Sequence, residues 1–487
     1  MKSDRLLSYD KAFALLLVFH TLTWLSLGMA LDLHPDVTDH WVWSQHLSWG
    51  YYEHPPMIAW AMRFFALVMG NNQWALEVGS QTITLLSFLA LFLLAREFFG
   101  AKAAFFSVLA LEATPLFTVG SMIFIIDTVL ILFILWAALF FWKGLDRNKP
   151  AYFYGAGLVL GLALLSKITA VLFPFACLIV LLSSPKGRQV LRSPHLYLAC
   201  LLGLLVFSPF IFWNMSHGWI SIQSQLEKGL TGSRNWDQVL GFWFGQPLIL
   251  GPVLFFFFVK VLWSEKKQFN QDFRIAYLLT LTLVPLLVFG LASFRGKYSD
   301  PTWTDIGWPF GAILVGRYFS DFFSNERPRK VLVSAGLILA TSWLPIGLAA
   351  AHALHPFLPV PVANDRTLEM RGWRQLGAAM GPLYQKVFPN APEAYVLADD
   401  YQLAGAVSFY TPRHPTPYSF SKSKRNMWVS MEKMKGQGAL LVCKPENCEQ
   451  DRDKSRSIFQ KVEYLAEIPI FRQGEIVKTF KVYTCLN

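Results

Sequence analysis

The sequence predicts a polytopic α-helical membrane protein that carries a small extracytoplasmic α/β domain at its C-terminal end. Three observations lead there: a composition too apolar for a water-facing surface, eleven apolar runs separated by alternately basic loops, and a change of composition after residue 350. Apolar residues make up 54% of the 487 and charged ones only 15%, against about 25% charged in an average soluble protein. A soluble chain of this size could not hide so much apolar surface behind so few charges. The same balance excludes a disordered chain, a disulfide-dense secreted scaffold and a fibrous repeat. The net charge of +11 does not indicate nucleic acid, because Lys and Arg sit in short clusters between apolar runs, where they orient spans.

A bilayer core needs about 20 apolar residues per helix. Candidate spans run at 11–31, 75–95, 103–120, 122–142, 152–166, 168–184, 196–213, 238–262, 274–293, 306–320 and 331–350. Lys2, Arg5 and Lys11 precede the first. Arg96 with Lys102, Lys143 with Arg147 and Lys149, Lys186 with Arg188 and Arg192, Lys266 with Lys267 and Arg274, and Arg327 with Arg329 and Lys330 mark every second loop as basic. The positive-inside rule puts those loops and the N-terminus in the cytoplasm and makes the span count odd. The opposite loops, 32–74, 214–237 and 293–305, are then extracytoplasmic. The first apolar run is longer than a signal-peptide core and reads as an uncleaved helix.

The division expected is a transmembrane domain over 1–354, with the outer loop 32–74, and an α/β domain over 355–487. The latter carries mixed charges, Pro-rich turns, a helical stretch at about 367–387 and β-like runs at 394–398, 438–443 and 476–483. Of the five cysteines, Cys177 and Cys200 fall inside apolar spans as core fillers. Two of Cys443, Cys448 and Cys485 can pair in an oxidising compartment, Cys443–Cys448 being the local choice.

Chemistry-bearing residues gather in the outer loops. Asp36 and Asp39, three apart, share a face if their segment is helical. Trp41, Trp43, Trp49, Tyr51 and Tyr52 equally suit an interfacial helix with solvated acids. Asp127 lies just inside a span, where an acid is costly: it is a functional candidate or a hydrogen-bonded anchor. Glu112 is similarly placed and ranks below it. Lys167 breaks the charge rule on the outer side, either snorkelling or facing a lipid phosphate. Arg295 and Lys297 break the same rule; they complete a phosphate site or solvate their loop. Loop 214–237 brings His217, Trp219, Lys228 and Arg234 to an anionic acceptor or to the interface.

The run from Asp36 to Ser44, the block Gly50-Tyr51-Tyr52-Glu53-His54-Pro55-Pro56 and Trp60 together resemble the first extracytoplasmic loop of the polyprenyl-phosphate-dependent transferases. That superfamily includes the protein O-mannosyltransferases and the lipid A aminoarabinose transferase. The resemblance continues through Ile125-Ile126-Asp127-Thr128, Ser166-Lys167-Ile168-Thr169-Ala170 and Trp213-Asn214-Met215-Ser216-His217-Gly218-Trp219, and covers most of residues 1–310. It implies a C-type glycosyltransferase fold in a bacterial cytoplasmic (inner) membrane, with the active site outside.

The resemblance further implies sugar transfer from a polyprenyl-phosphate donor, with inversion, to lipopolysaccharide, another glycolipid or a cell-wall polymer. Such a donor carries its own leaving group, so the protein supplies a base for the acceptor and cations for the departing phosphate. Asp36 is the implied base and Asp127 the second catalytic candidate. His54, Lys167, Arg295 and Lys297 would meet the donor phosphate or sugar, and Asp39, His217 and Trp219 would form the acceptor loop. Where the family has Asp-Glu, this chain has Asp36-Val37, so the second carboxylate does not carry over; Asp39 is a candidate replacement. No cofactor is certain; a divalent metal could use Asp36, Asp39 and His54. Two other classes remain open: a polytopic transporter or lipid-linked sugar flippase, against which stand the missing internal repeat and charges clustered at one face, and a subunit inactivated by Val37.

Overall fold

The chain is analysed as a computed structural model that describes residues 8–230, 232, 235–295, 298–389, 395–421 and 426–487. By internal contacts it forms two compact units. One comprises Met1–Leu25, Trp49–Ile58 and Glu77–Gly347, the other Ser26–Ser48, Ala59–Leu76 and Leu348–Asn487. Most of the outer loop that the sequence reading joined to the spans therefore groups with the C-terminal residues.

The first unit is helical. Among the described residues six helices are long and apolar enough to cross a membrane: Tyr9–Ala30, Gln73–Glu112, Ile126–Arg147, Pro194–Ser216, Phe273–Ala292 and Pro328–Leu354, the terminal turns of some of them falling in the second unit. The pair Trp236–Leu250 and Pro252–Gln268, bent by 101° across Gly251, makes a seventh if taken as one span. The other expected spans fall on the two arms of Gln73–Glu112 (75–95 and 103–120) and on shorter helices: 152–166 on Pro150–Ser166, 168–184 on Ile168–Ser183 and 306–320 on Trp308–Asn325. The chain is a multi-pass membrane protein.

Sequence explains the breaks. Gln73–Glu112 turns at Gly100, whose φ of 82° is open to glycine and costly to other residues, and two expected spans become one interrupted run. Asn148, in a left-handed conformation, ends Ile126–Arg147, and Pro150 opens the next helix at its first position. That helix meets Pro194–Ser216 through Gly157 and Gly161 on one side and Gly203 on the other. A methyl at Gly157 would strike the carbonyl of Ala199, so the small residues are what let the two backbones approach.

The second unit contains a five-stranded sheet in the order β2-β1-β3-β5-β4: β1 Tyr395–Ala398, β2 Thr416–Ser419, β3 Ala439–Cys443, β4 Lys461–Arg472 and β5 Glu475–Leu486. β1 pairs in parallel with β2 and β3; β3, β5 and β4 run antiparallel. Gln473 (φ 53°) and Gly474 (φ 85°) form the two-residue β4–β5 turn, as the twist of a hairpin favours. Val396, Leu440, Val442, Phe480 and Val482 face the helices Trp373–Val387 and Tyr401–Tyr410. Leu397, Leu441, Tyr483 and Cys485 fill the opposite face with Met434 and Phe459. Cys443 and Cys448 are joined by a disulfide, and Cys485 is a buried free thiol.

Candidate functional site

Within the first unit, three of the chain's acidic and basic side chains converge where helices end. Asp127 stands in the first turn of Ile126–Arg147, where the helix dipole favours a carboxylate. Lys167 ends Pro150–Ser166 in an extended conformation (φ −152°, ψ 135°), and its ammonium donates to Asp127 Oδ1. Asp305 lies in the short 3-10 turn Pro301–Ile306 and is only 4% exposed. Burial, then the neighbouring Asp127, hold its carboxyl well above the usual range against the pull of Lys167. The turn is fixed by Asp300, whose Oδ1 accepts from the backbone N–H and hydroxyl of Thr302, and by Thr304, which donates to Gln246 (2.9 Å) and accepts from the Trp308 indole (2.8 Å). Asp127 and Asp305 also line a largely apolar cavity of about 400 Å³ walled by Phe88, Leu111, Phe117, Ile131 and Leu248.

The sequence reading missed Asp305. Its available signal was an acid immediately before an apolar run, in an outer loop that already held two unexplained cations. Glu112, ranked lower, is fully buried and its Oε1 accepts from His20 Nδ1 (2.8 Å) and Trp24 Nε1 (3.1 Å), an anchor between helices. Arg295 is exposed, and its carbonyl receives the Gly232 N–H at 2.8 Å. Lys297 and Arg234 lie outside the described residues.

Two of the motif blocks meet in this unit. Gly50 lies flush against the Trp213 ring, which stacks on His217 at 4.1 Å. The Tyr51 N–H reaches the His54 carbonyl at 3.0 Å, closing the turn before Pro55-Pro56. Glu53, 3% exposed, pairs with Lys228 at 3.0 Å, and Gln225 donates to its carbonyl at 2.9 Å. His54 is half-buried, His217 and Trp219 exposed, and Trp219 takes a left-handed backbone (φ 59°) just after Gly218.

Asp36 belongs to the second unit. It opens the helix Pro35–Gln45, whose N-cap is His34: the Asp36 N–H donates to His34 Nδ1 at 3.2 Å. Asp36 Oδ1 accepts from Gln402 Nε2 at 2.7 Å, while Oδ2 lies 3.7 Å from His34 Nδ1. The other ring nitrogen of His34 faces Glu369 Oε2 at 3.6 Å. His34 first, and Arg366 beside it, draw the Glu369 carboxyl down to about 2. The expectation of solvated acids holds for Asp36, whose side chain is 40% exposed, and is corrected for Asp39. Trp41 and Trp43 are each 1% exposed and Asp39 only 7%, because the helix packs on Tyr401–Tyr410, with Trp41 edge-on to Phe409 and Asp39 backing onto Gly405. His34, Gln402 and Glu369 line a cleft of about 830 Å³ within this unit. Among the described residues no three His, Cys, Asp or Glu side chains group to hold a metal ion.

Comparison with known proteins extends the geometry. Residues 53–213 match the dolichyl-phosphate-mannose-protein mannosyltransferase family. The chain is 27% identical over 303 residues to the lipid A galacturonosyltransferase RgtD of Rhizobium johnstonii, covering 59% of this chain and 60% of RgtD. It is 27% identical over 378 residues to the lipopolysaccharide core galacturonosyltransferase RgtA of the same organism, covering 74% and 70%. The alignment thus spans less than two thirds of RgtD. The crystal structure of ArnT from Cupriavidus metallidurans bound to undecaprenyl phosphate superimposes over 97% of this chain and 98% of its own, with a TM-score of 0.66 and 18% identity, which gives the fold. The family match covers the segments that carry Asp127 and Lys167, and the superposition on ArnT gives the whole chain the same fold.

Proposed function

We propose that the protein is an integral membrane glycosyltransferase that moves a sugar from a polyprenyl-phosphate donor to an envelope acceptor: lipopolysaccharide, another glycolipid or a cell-wall polymer. The observation that carries this reading is the Asp127–Lys167–Asp305 cluster beside an apolar cavity. A donor of this kind is a long apolar chain ending in a charged phosphate. An apolar cavity matches the chain, and an ammonium steadied by one carboxylate, beside a second acid whose neutral form burial favours, suits the departing phosphate. The fold shared with ArnT bound to undecaprenyl phosphate, and the galacturonosyltransferases among the relatives, support the same donor and acceptor classes.

In this reading Asp36 takes the proton from the acceptor hydroxyl as that oxygen attacks the anomeric carbon. The bond to the phosphate breaks on the opposite side, which inverts the configuration. Lys167 receives the charge that develops on the phosphate, with Asp127 orienting the ammonium. Arg295, Lys297 and His54 are further candidates for the donor head, and Asp39, His217 and Trp219 for the acceptor side. The eleven apolar segments all cross, in an inner membrane, and the loops bearing these residues face away from the cytoplasm. Mass spectrometry of envelope glycolipids from cells carrying the wild-type gene, a deletion or Asp36→Asn tests it. A sugar-sized mass lost in both mutants is expected; loss in the deletion alone would move the base elsewhere.

A further inference from the structure

Val37, next to Asp36, is 1% exposed, its side chain committed to packing. Asp39 is nearly buried in the same helix contact. Neither presents a carboxylate to the cleft that His34, Gln402 and Glu369 line. A different acid reaches Asp36 indirectly. Glu369 faces His34, and His34 faces Asp36, in the sequence Oε2–3.6 Å–Nε2 and Nδ1–3.7 Å–Oδ2.

The hydrogen-bond roles around the imidazole follow from its neighbours. The Asp36 backbone N–H is a fixed donor and points at Nδ1, so in the neutral ring Nδ1 accepts and the ring proton sits on Nε2, facing Glu369. That is an arrangement in which an acid favours one tautomer and orientation of a histidine that serves another group; here the acid, Glu369, is half-exposed. His34 is in turn the N-cap of Pro35–Gln45, so its orientation fixes the first turn of the helix and with it the Asp36 backbone. Gln402 fixes the other side: its amide holds Asp36 Oδ1 at 2.7 Å, and its own N–H is capped by Asp400 at 2.9 Å. Oδ1 is thereby occupied by a neutral donor, and Oδ2 is the oxygen turned toward the imidazole.

Resting on the reading of Asp36 as base, we infer that Glu369, 333 residues further along the chain, and His34 are positioning residues for it. The pair orients Oδ2 toward the acceptor hydroxyl. Oδ2 takes that proton and later loses it to water, while His34, its Nδ1 engaged by the Asp36 N–H, acts on the placement of Asp36 and does not carry that proton itself. Arg366 also pairs with Glu369, at 2.8 Å, but is 90% exposed in its side chain and touches neither His34 nor Asp36 in any contact shown, so it serves as the internal control.

The test uses the full chain in lipid nanodiscs, with the total polyprenyl-phosphate lipid extract of the same cells as donor probe and their lipopolysaccharide fraction as acceptor probe. Glu369→Gln and His34→Ala are expected to lower kcat about 10–100-fold, the loss that a mispositioned reacting group produces, with KM for the acceptor within twofold. Glu369→Asp is expected to restore part of the rate, and Arg366→Ala to leave it within twofold. In parallel, ¹⁵N spectra of histidine-labelled protein report the His34 ring directly. The wild type is expected to carry its proton on Nε2, and Glu369→Gln to shift that population. Equal loss in Glu369→Gln and Glu369→Asp, or a rate unchanged in Glu369→Gln, overturns the positioning role. An Asp36→Asn protein that still transfers sugar overturns the base assignment instead, and the ring spectra then decide the Glu369–His34 coupling on their own.

Discussion

Asp127 and Asp36 are both carboxylates in the first turn of a helix, and both came from sequence motifs, yet their partners differ in kind. Asp127 is bound by an ammonium and has a second acid, Asp305, against it in a buried setting. Asp36, 40% exposed in its side chain, is bound by a neutral amide and a histidine. A carboxylate committed to a cation sets where positive charge stands. One held by a neutral amide, with its other oxygen free of a cation's hydrogen bond and its side chain 40% exposed, can accept a proton from a substrate. The resemblance implied Asp36 as base and Asp127 as a second catalytic candidate; the partners give that ranking a physical reason.

The largest effect expected is at Asp36. Asp36→Asn preserves shape and the Gln402 contact but removes the proton acceptor, and transfer should fall by about 10²–10⁴-fold while the melting temperature of the purified protein stays put. A loss that tracks unfolding would mean that Asp36 is only a helix cap. Lys167→Met should show the opposite pattern, losing rate and stability together. Removing one partner of a buried pair leaves its charge uncompensated, a cost of about 3–5 kcal/mol where burial is complete and less here, since Asp127 keeps 30% exposure. The double variant Lys167→Met with Asp127→Asn should recover expression and melting temperature without recovering transfer. Recovery of both would reduce the pair to a structural role.

Asp305 sharpens the contrast from the other side. Its carboxyl is raised by burial, so the neutral form is the one the fold favours, and Asp305→Asn should change transfer at pH 7 by no more than about threefold, far less than Lys167→Met. A raised carboxyl also contributes stability that is present below its unfolded value and lost as pH rises through the folded one. The asparagine variant should therefore gain on the wild type in thermal melts as the pH is raised. A wild type that holds its lead at alkaline pH would show Asp305 to be ionised within the cluster.

The legible part of the molecule was the part governed by one-dimensional rules. Bilayer length located the long apolar helices among the described residues, and motif spacing singled out Asp36, Asp127 and Lys167 as candidates. What was missed depended on partners distant in sequence. Asp305 lies 178 residues from Asp127, and Gln402 and Glu369 more than 300 from Asp36, so no spacing could announce them. The strands divide similarly. β1, β3 and β5, flanked on both sides, fall on the expected runs, whereas β2 and β4 are the two sheet edges and carry Pro417 and Pro469, which an edge tolerates and which disguise a strand. Trp41 and Trp43 misled for a related reason: amphipathic aromatics look interfacial until a partner helix covers them.

The smallest effect expected lies away from either carboxylate, at Asp451, and isolates burial from function. This residue is on the helix Cys448–Arg456, with Lys454 bridging it at 3.5 Å and Asp399 at 2.7 Å. Burial first, and the charge of Asp399 second, raise its carboxyl to about 6, with Lys454 opposing. Unfolded, the group titrates near 3.9. Between these values the folded chain holds a proton that the unfolded chain has released, so the contribution is fully present below about pH 4 and is lost as pH rises through 6. Asp451→Asn removes this dependence. Its melting temperature, followed by tryptophan fluorescence on the full chain, should equal the wild type's at pH 4 and exceed it by a few degrees at pH 7, with transfer unchanged. A wild type that instead gains on the variant as pH rises would mean that Lys454 outweighs burial and that the carboxylate is the form the fold prefers. The same comparison would then have to be reopened at Asp305, where a lysine likewise opposes burial.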